Sequence, residues 1–252
     1  MGNLVQLGQL QLEISLIAPF FSFIKKENKR RFRLLCISQI GSLNMVHKKA
    51  QLRPCLVSCS VLKEEFEQLV KREELDVDLV FVNKFFHVDY SLLEKNLREV
   101  LKHTLPRFPG GIILVYGDLC IGPKNEMKAL AEEFGVAKVD AVNCTDCLLG
   151  GKGKFFKADP DHDFLFLNPG MIDFFKYFKE KAEKEGADEE TIQQFFSDLK
   201  GIIFLDTLGE TETGLQEIAK MNSGLPVLET KKIGVDKLKL IILEAIERNK
   251  KI

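Results

Sequence analysis

Short apolar runs alternate with longer segments of helical periodicity from residue 45 to the end of the chain. Runs that are apolar at every position are typical of parallel strands with both faces covered. The segments between them place leucine and phenylalanine at the spacing of one helix face. This alternation predicts an α/β fold with a mainly parallel, Rossmann-like sheet of about six or seven strands and helices on both faces. The predicted strands are 56–58, 79–82, 112–116, 139–142, 164–167, 202–205 and 226–230.

Four of these strands are followed by a side chain that can bind a metal: Cys59, His87, Cys120 and Cys147. Their spacings of 28 (87−59), 33 (120−87) and 27 (147−120) residues are each about one βα unit. Right-handed crossovers place the carboxyl ends of parallel strands on one edge of the sheet, where ligands bind. The pattern therefore predicts a ligand site at this edge.

Sheet geometry limits how many of these side chains can share one ion. Adjacent strands lie about 4.8 Å apart, so four consecutive strand ends span about 14 Å. A single metal with Zn–S bonds of about 2.3 Å cannot reach that width. Three cysteines, Cys59, Cys120 and Cys147, are the predicted ligands. They suit a zinc ion with an open position or a four-iron cluster with one uncoordinated iron, and the spacing does not separate the two.

Cys144 or His87 is the candidate for a fourth ligand. In Cys144-x-x-Cys147 the spacing lets both sulfurs face one point, and Leu148-Leu-Gly-Gly does not predict the long helix of a thiol-redox motif. Metal binding is therefore favoured over redox chemistry, with two half-buried small residues as the alternative. For His87, the alternative is a loop histidine that caps a backbone carbonyl.

A glycine-rich loop follows this motif and resembles a phosphate nest, because glycines expose N–H groups and lysines add charge. It lacks the spacing of a Walker motif. The candidate anion-binding residues are Gly150, Gly151, Lys152 and Gly153. Three aspartates near strand ends are candidate acid–base groups, although helix capping explains each equally well: Asp118, Asp146 and Asp206.

Composition narrows the function classes. The net charge is −1, which gives a nucleic-acid role no electrostatic support. An α/β chain of this size needs no disulfides, so reduced cysteines in the cytosol are favoured over a secreted, disulfide-bonded protein. The six cysteines are Cys36, Cys55, Cys59, Cys120, Cys144 and Cys147.

Residues 1–44 differ from the rest of the chain. The apolar stretch from Leu10 to Ile24 is short for a membrane span, and its basic residues follow it, unlike those of a secretory signal. A membrane role is therefore not favoured, with a basic amphipathic anchor as the alternative. We expect Met45 to be the start, with 1–44 an extension that is untranslated or disordered. Residues 45–252 are the expected α/β domain, divisible into two βα lobes, 53–160 and 161–252.

Several short motifs together resemble the DUF1638 family, whose uncharacterised members occur in methanogenic archaea and anaerobic bacteria. The resemblance spans about residues 53–248. It rests on Cys59-Ser-Val-Leu, the His87 segment, Tyr116-Gly-Asp-Leu-Cys120, Asp146-Cys147 with its glycines, Asn168-Pro-Gly-Met and Phe204-Leu-Asp-Thr. Two features depart from the family pattern. Asp118 and Leu119 are inserted before Cys120, and Thr145 replaces the usual histidine, with Cys144 just before it.

Family members are often encoded beside corrinoid-dependent methyltransferases, so the resemblance implies a role near one-carbon transfer. The leading hypothesis is a cytosolic zinc or iron–sulfur protein that acts in, or is accessory to, corrinoid or one-carbon methyl-transfer metabolism. One alternative is a non-catalytic partner of a methyltransferase or corrinoid protein. Another is a small-anion binder that uses the loop from Gly150 to Lys154.

Overall fold

The structure, a computed structural model, describes residues 53–221 and 223–250. The predictions for residues 1–44, for Met45 and for Cys36 lie outside these ranges.

The strands form two parallel sheets, of four and three strands, so the prediction of a single six- or seven-stranded sheet is wrong. The strand orders are β2-β1-β3-β4 and β5-β6-β7. The predicted α/β class and parallel pairing are confirmed. The strands are β1 Cys55–Cys59, β2 Asp78–Val82, β3 Ile112–Val115, β4 Ala137–Lys138, β5 Phe164–Leu167, β6 Gly201–Asp206 and β7 Val227–Lys232.

The division into two sheets arises at β4. This strand is only two residues long, and the predicted strand 139–142 is instead a loop that leads into two short helices. A two-residue strand offers very few backbone hydrogen bonds to a neighbouring strand, and β5 pairs with β6 instead. The helices are α1 Lys63–Lys71, α2 Tyr90–Thr104, α3 Glu126–Phe134, α4 Cys144–Leu149, α5 Lys154–Ala158, α6 Pro169–Lys184, α7 Glu189–Phe195, α8 Thr211–Ala219 and α9 Asp236–Asn249.

Both sheets contribute to a shared core. All residues of β1, β3 and β6 are buried, as expected for central parallel strands covered on both faces. Phe166, Ile203 and Leu205 of the second sheet pack into the core around the first sheet. The helix α9 follows the second sheet in sequence but belongs to this same core, where it lies near β3 and β4. In the described ranges, no helix is long and apolar enough to span a membrane.

A buried carboxyl group also joins the two sheets. Glu65, in α1, has no exposed surface, and its Oε1 accepts hydrogen bonds from Asn168 Nδ2 (3.0 Å) and Thr207 Oγ1 (2.8 Å). Asn168 and Thr207 follow β5 and β6, so these bonds hold the carboxyl edge of the second sheet against α1. Burial raises the pKa of Glu65 above its ordinary value, and the two hydrogen bonds offset only part of that increase.

The raised pKa of Glu65 makes stability depend on pH. The unfolded chain loses this proton near its ordinary value of 4.5, whereas the folded protein keeps it to higher pH. Above pH 4.5 the native state binds more protons than the unfolded chain does. The free energy of unfolding should therefore fall as pH rises through the folded pKa. The variant Glu65→Gln has no charge to bury, and its unfolding free energy should fall less between about pH 5 and pH 8.

Urea denaturation at the two pH values measures this difference. Glu67→Gln is the matched control, because Glu67 is an exposed residue in the same helix. Its pH dependence should equal that of the wild type. An identical pH dependence in Glu65→Gln and the wild type would contradict the assignment of a buried neutral carboxyl group.

Candidate functional site

The predicted metal ligands lie along the carboxyl edge of the first sheet. Cys59 ends β1 and pairs in register with Val82 at the end of β2, which leads to His87. Cys120 follows β3, and Cys144 begins α4 after β4. The strand order β2-β1-β3-β4 thus arranges these side chains along one edge as His87, Cys59, Cys120 and Cys144.

Cys59 and His87 are in direct contact, with Cys59 Sγ 3.7 Å from His87 Nδ1. His87 Nδ1 also lies 3.3 Å from the carbonyl oxygen of Lys84. A carbonyl can only accept, so Nδ1 carries the proton and Nε2 keeps the lone pair. Burial lowers the pKa of His87 to about 4, so the ring is neutral at pH 7. A neutral imidazole oriented by a backbone carbonyl is typical of metal-bound histidines, and it equally fits the capping role.

Three thiols surround this position. Burial raises the pKa of Cys59 to about 12 and that of Cys120 to about 11, and negative charge on Cys120 would raise the pKa of Cys59 further. Burial likewise raises the pKa of Cys144 well above its ordinary value. Negative charge on Cys120, Cys59 or Cys147 would raise this pKa further. We call Cys59, Cys120 and Cys144 the thiol cluster.

Cys147 lies one turn further along α4 and is buried. Burial is the largest cause that raises the pKa of Cys147, and negative charge on Cys120 and on Asp146 raises it further. The pKa of Cys144, by contrast, would be raised by negative charge on both Cys120 and Cys59. Charge on Cys59 thus acts on Cys144, which is our reason for choosing Cys144 over Cys147 as the third cysteine beside Cys59 and Cys120. The spacing C-x-x-C does not reveal this, because both residues are on the same short helix.

A close backbone approach brings the loop of Cys120 against the segment that precedes Cys144. A Cβ atom at Gly117 would lie 2.2 Å from the carbonyl carbon and oxygen of Val142, so only glycine fits there. Asp118 and Leu119 strengthen this contact: Asp118 N donates to Ala141 O (2.9 Å) and Leu119 N to Val142 O (3.0 Å). These bonds hold the loop of Cys120 against the segment that precedes Cys144.

Tyr116 is a site residue that the sequence analysis missed. Its ring lies parallel to His87, with 5.9 Å between ring centroids and 12° between planes. The hydroxyl is buried and has no hydrogen-bond partner among the described residues. Tyr116 ends the apolar run of β3, so its sequence context is that of an ordinary core aromatic residue.

The three candidate acid–base aspartates have structural partners. The side chain of Asp146 accepts hydrogen bonds from the N–H groups of Val142, Gly153 and Phe155, at 2.9–3.0 Å. The side chain of Asp206 accepts hydrogen bonds from the backbone N–H groups of Gly209 and Glu210 and from the Thr211 hydroxyl. Asp118 forms an ion pair of 2.7 Å with Lys138. These contacts favour the capping explanation for Asp146 and Asp206.

The glycine-rich loop is organised by its own hydrogen bonds. The backbone N–H groups of residues 150–154 all donate to acceptors within the segment from Asp140 to Gly151. Lys152 Nζ pairs with Glu244 at 2.8 Å. An anion nest needs N–H groups that point outward, so this arrangement gives the anion-binding prediction no support.

A family profile described as "Protein of unknown function (DUF1638)" matches residues 81–242, which is more than half of the chain. The chain belongs to the DUF1638 family. The match includes His87, Cys120, Cys144 and Cys147 but begins after Cys59, and it is narrower than the resemblance at 53–248. No curated protein and no solved structure matches this DUF1638 chain.

The donor set of this DUF1638 protein suits a soft metal, since it offers three sulfurs and a neutral imidazole. All three cysteines of the cluster are free thiols. Within residues 53–221 and 223–250, however, no three His, Cys, Asp or Glu side chains are placed so that they could hold a metal ion. The donor types alone would suit a metal, whereas their placement in the described ranges offers no group of three for one ion.

Proposed function

We propose that this DUF1638 protein holds a metal centre on the thiol cluster, Cys59, Cys120 and Cys144, with His87 beside it. The observation that supports the proposal is the order of His87, Cys59, Cys120 and Cys144 along the carboxyl edge of one sheet, with Cys59 Sγ 3.7 Å from His87 Nδ1. Neighbouring thiolates repel each other and are poorly solvated where they are buried, so without a metal the thiols stay protonated. Metal binding would release those protons and supply the missing positive charge.

We place an iron–sulfur cluster before a single zinc ion, because no three donor side chains in the described ranges surround one point. Zinc needs all its ligand atoms within about 2.3 Å of one point. A four-iron cluster is larger, accepts cysteines that are further apart, and with three of them keeps one iron open. An external ligand would then complete the site, with His87 Nδ1 beside Cys59. Zinc remains the second candidate for the same residues.

The resemblance to proteins encoded beside corrinoid-dependent methyltransferases suggests a task in methyl-group or corrinoid metabolism. An open iron would supply electron transfer or Lewis-acid chemistry to that task. The protein itself would shield the centre from solvent, since Cys59 and Cys120 are only 3% and 7% exposed. The half-buried Cys144 marks the side from which a small molecule or partner protein would approach.

Anaerobic purification followed by measurement of iron, zinc and acid-labile sulfide tests the proposal. We expect about four iron and four sulfide per chain for a cluster, or about one zinc for the second candidate. A folded protein with less than about 0.2 equivalents of any metal would contradict both.

The non-catalytic partner role stays a prediction. In that role the cysteines would be core residues, and binding of a methyltransferase or corrinoid protein would not depend on them. A triple variant with serine at Cys59, Cys120 and Cys144 separates the two roles. Retained binding of the partner by the folded, metal-free variant would favour the partner role.

A further inference from the structure

The strand β7 forms an open edge of the second sheet. It pairs with β6 on one side, and among the described residues no further strand pairs with it on the other. Two of its side chains, Val227 and Leu228, are 38% and 53% exposed. An edge strand presents backbone N–H and C=O groups to which a strand of another chain can add. This edge is therefore a surface at which the sheet can be extended.

The hydrogen bonds of β7 show which of its residues face outward. The register with β6 is regular over 229–232, beyond a shift at the start of the strand. Just after the strand, Ile233 N donates to Asp206 O (3.0 Å), so the backbone of Ile233 faces β6. The backbone groups of successive strand residues point to alternate edges. Thr230 and Lys232 therefore present their N–H and C=O groups to the open edge.

The charges on this edge are complementary to a second copy of the same strand. Glu229 and Lys231 lie on one face of β7, with Lys231 Nζ 3.1 Å from Glu229 Oε2. When two copies of β7 run antiparallel about Thr230, each Glu229 lies opposite the partner's Lys231. The two Thr230 backbones, which both face outward, then exchange two hydrogen bonds. Lysines on an edge disfavour pairing with most strands, whereas a second copy offers each Lys231 a glutamate.

We propose that this chain forms a two-fold symmetric dimer in which β7 pairs antiparallel with β7 of a second copy, centred on Thr230. The second sheets of the two copies then form one sheet of six strands, three from each copy. The exposed Leu228 lies near the methylene chain of the partner's Lys232, which shields part of it from water. The contact is short, so we expect a weak dimer with a dissociation constant in the micromolar range.

Sedimentation velocity of the full chain over a concentration series tests this dimer. In Lys231→Glu, glutamates face each other across the interface, and we expect the dissociation constant of the dimer to rise about 10-fold or more. Glu229→Lys creates the same kind of like-charge contact between lysines and should weaken the dimer similarly. The double variant Glu229→Lys with Lys231→Glu restores both opposite-charge pairs, so its dissociation constant should lie within about threefold of that of the wild type.

Lys95→Glu is the matched control for the single reversals. It makes the same change of net charge as Lys231→Glu, at an exposed position in α2, which packs against β2 of the first sheet. This variant should dimerise as the wild type does. Circular dichroism shows whether each variant is folded, and the two single reversals and the double variant test the same contact independently.

Three results would overturn the proposal. The first is a wild-type protein that sediments as a monomer at every concentration. The second is a dimer whose dissociation constant is unchanged in the folded single reversals, because the copies would then meet through another surface. The third is a folded double variant that dimerises no better than the single reversals, because the facing charges would then not set the register. These results concern β7 alone and leave the proposed metal centre to its own test.

Discussion

Replacing Cys120 with serine should abolish the metal centre, leaving less than about a fifth of the wild-type metal per chain. Cys120 lies between Cys59 and Cys144 along the edge of the first sheet, because β3 lies between β1 and β4. Serine keeps the size of the side chain but lacks the soft sulfur that iron and zinc bind. Metal analysis and labile-sulfide assay of the anaerobically purified variant measure the loss, and circular dichroism confirms that it is folded.

Cys55→Ser is the matched control for this experiment. Cys55 is also buried, burial raises its pKa to about 12, and it lies in the same strand as Cys59. It is at the opposite end of β1, about 13 Å away along the strand. Serine at Cys55 should therefore leave the metal content unchanged. Equal metal content in Cys120→Ser and Cys55→Ser would contradict the assignment of Cys120 as a ligand.

Replacing Asp146 with alanine should lower the free energy of unfolding by about 3–6 kcal/mol, because three backbone N–H groups lose their acceptor in a buried place. Asp146 is fully buried and receives bonds from Val142, Gly153 and Phe155. These bonds fix the loops on both sides of α4, the helix that carries Cys144. Urea denaturation measures the loss of stability.

Asp140→Ala provides the comparison for Asp146→Ala. The side chain of Asp140 is exposed, so its removal should change the unfolding free energy by less than about 0.5 kcal/mol. Equal stability of the two variants would show that the Asp146 carboxylate does not organise the loops around α4.

Local sequence patterns were sufficient for most strands but not for their assembly. The run at Phe164–Leu167 is predicted to the residue, because four apolar positions lie between polar segments. The prediction at 139–142 is wrong, since Val139 and Ala141 are buried in a loop and the Val142 N–H bonds to Asp146. Whether seven strands form one sheet or two depends on long-range pairing, and no short stretch of sequence encodes that choice.

The sequence predicted the edge of the sheet on which the candidate residues lie, but not which residues belong to the candidate site. Parallel strand ends share an edge, so the gathering of Cys59 and Cys120 follows from topology. The choice between Cys144 and Cys147 depends on how α4 is rotated, which Asp146 and the close contact of Gly117 determine. Tyr116 could not be separated from core aromatics by sequence, because its distinguishing property is an unpaired hydroxyl in three dimensions.

The most direct test of the account compares the metal content of Cys144→Ser with that of Cys147→Ser, both purified anaerobically beside the wild type. Both residues lie on α4, so the two variants share the same local environment of the backbone. The account predicts that Cys144→Ser loses the metal of the wild type and that Cys147→Ser retains it. Loss of metal in Cys147→Ser alone, or in neither variant, would contradict the thiol cluster as the metal centre.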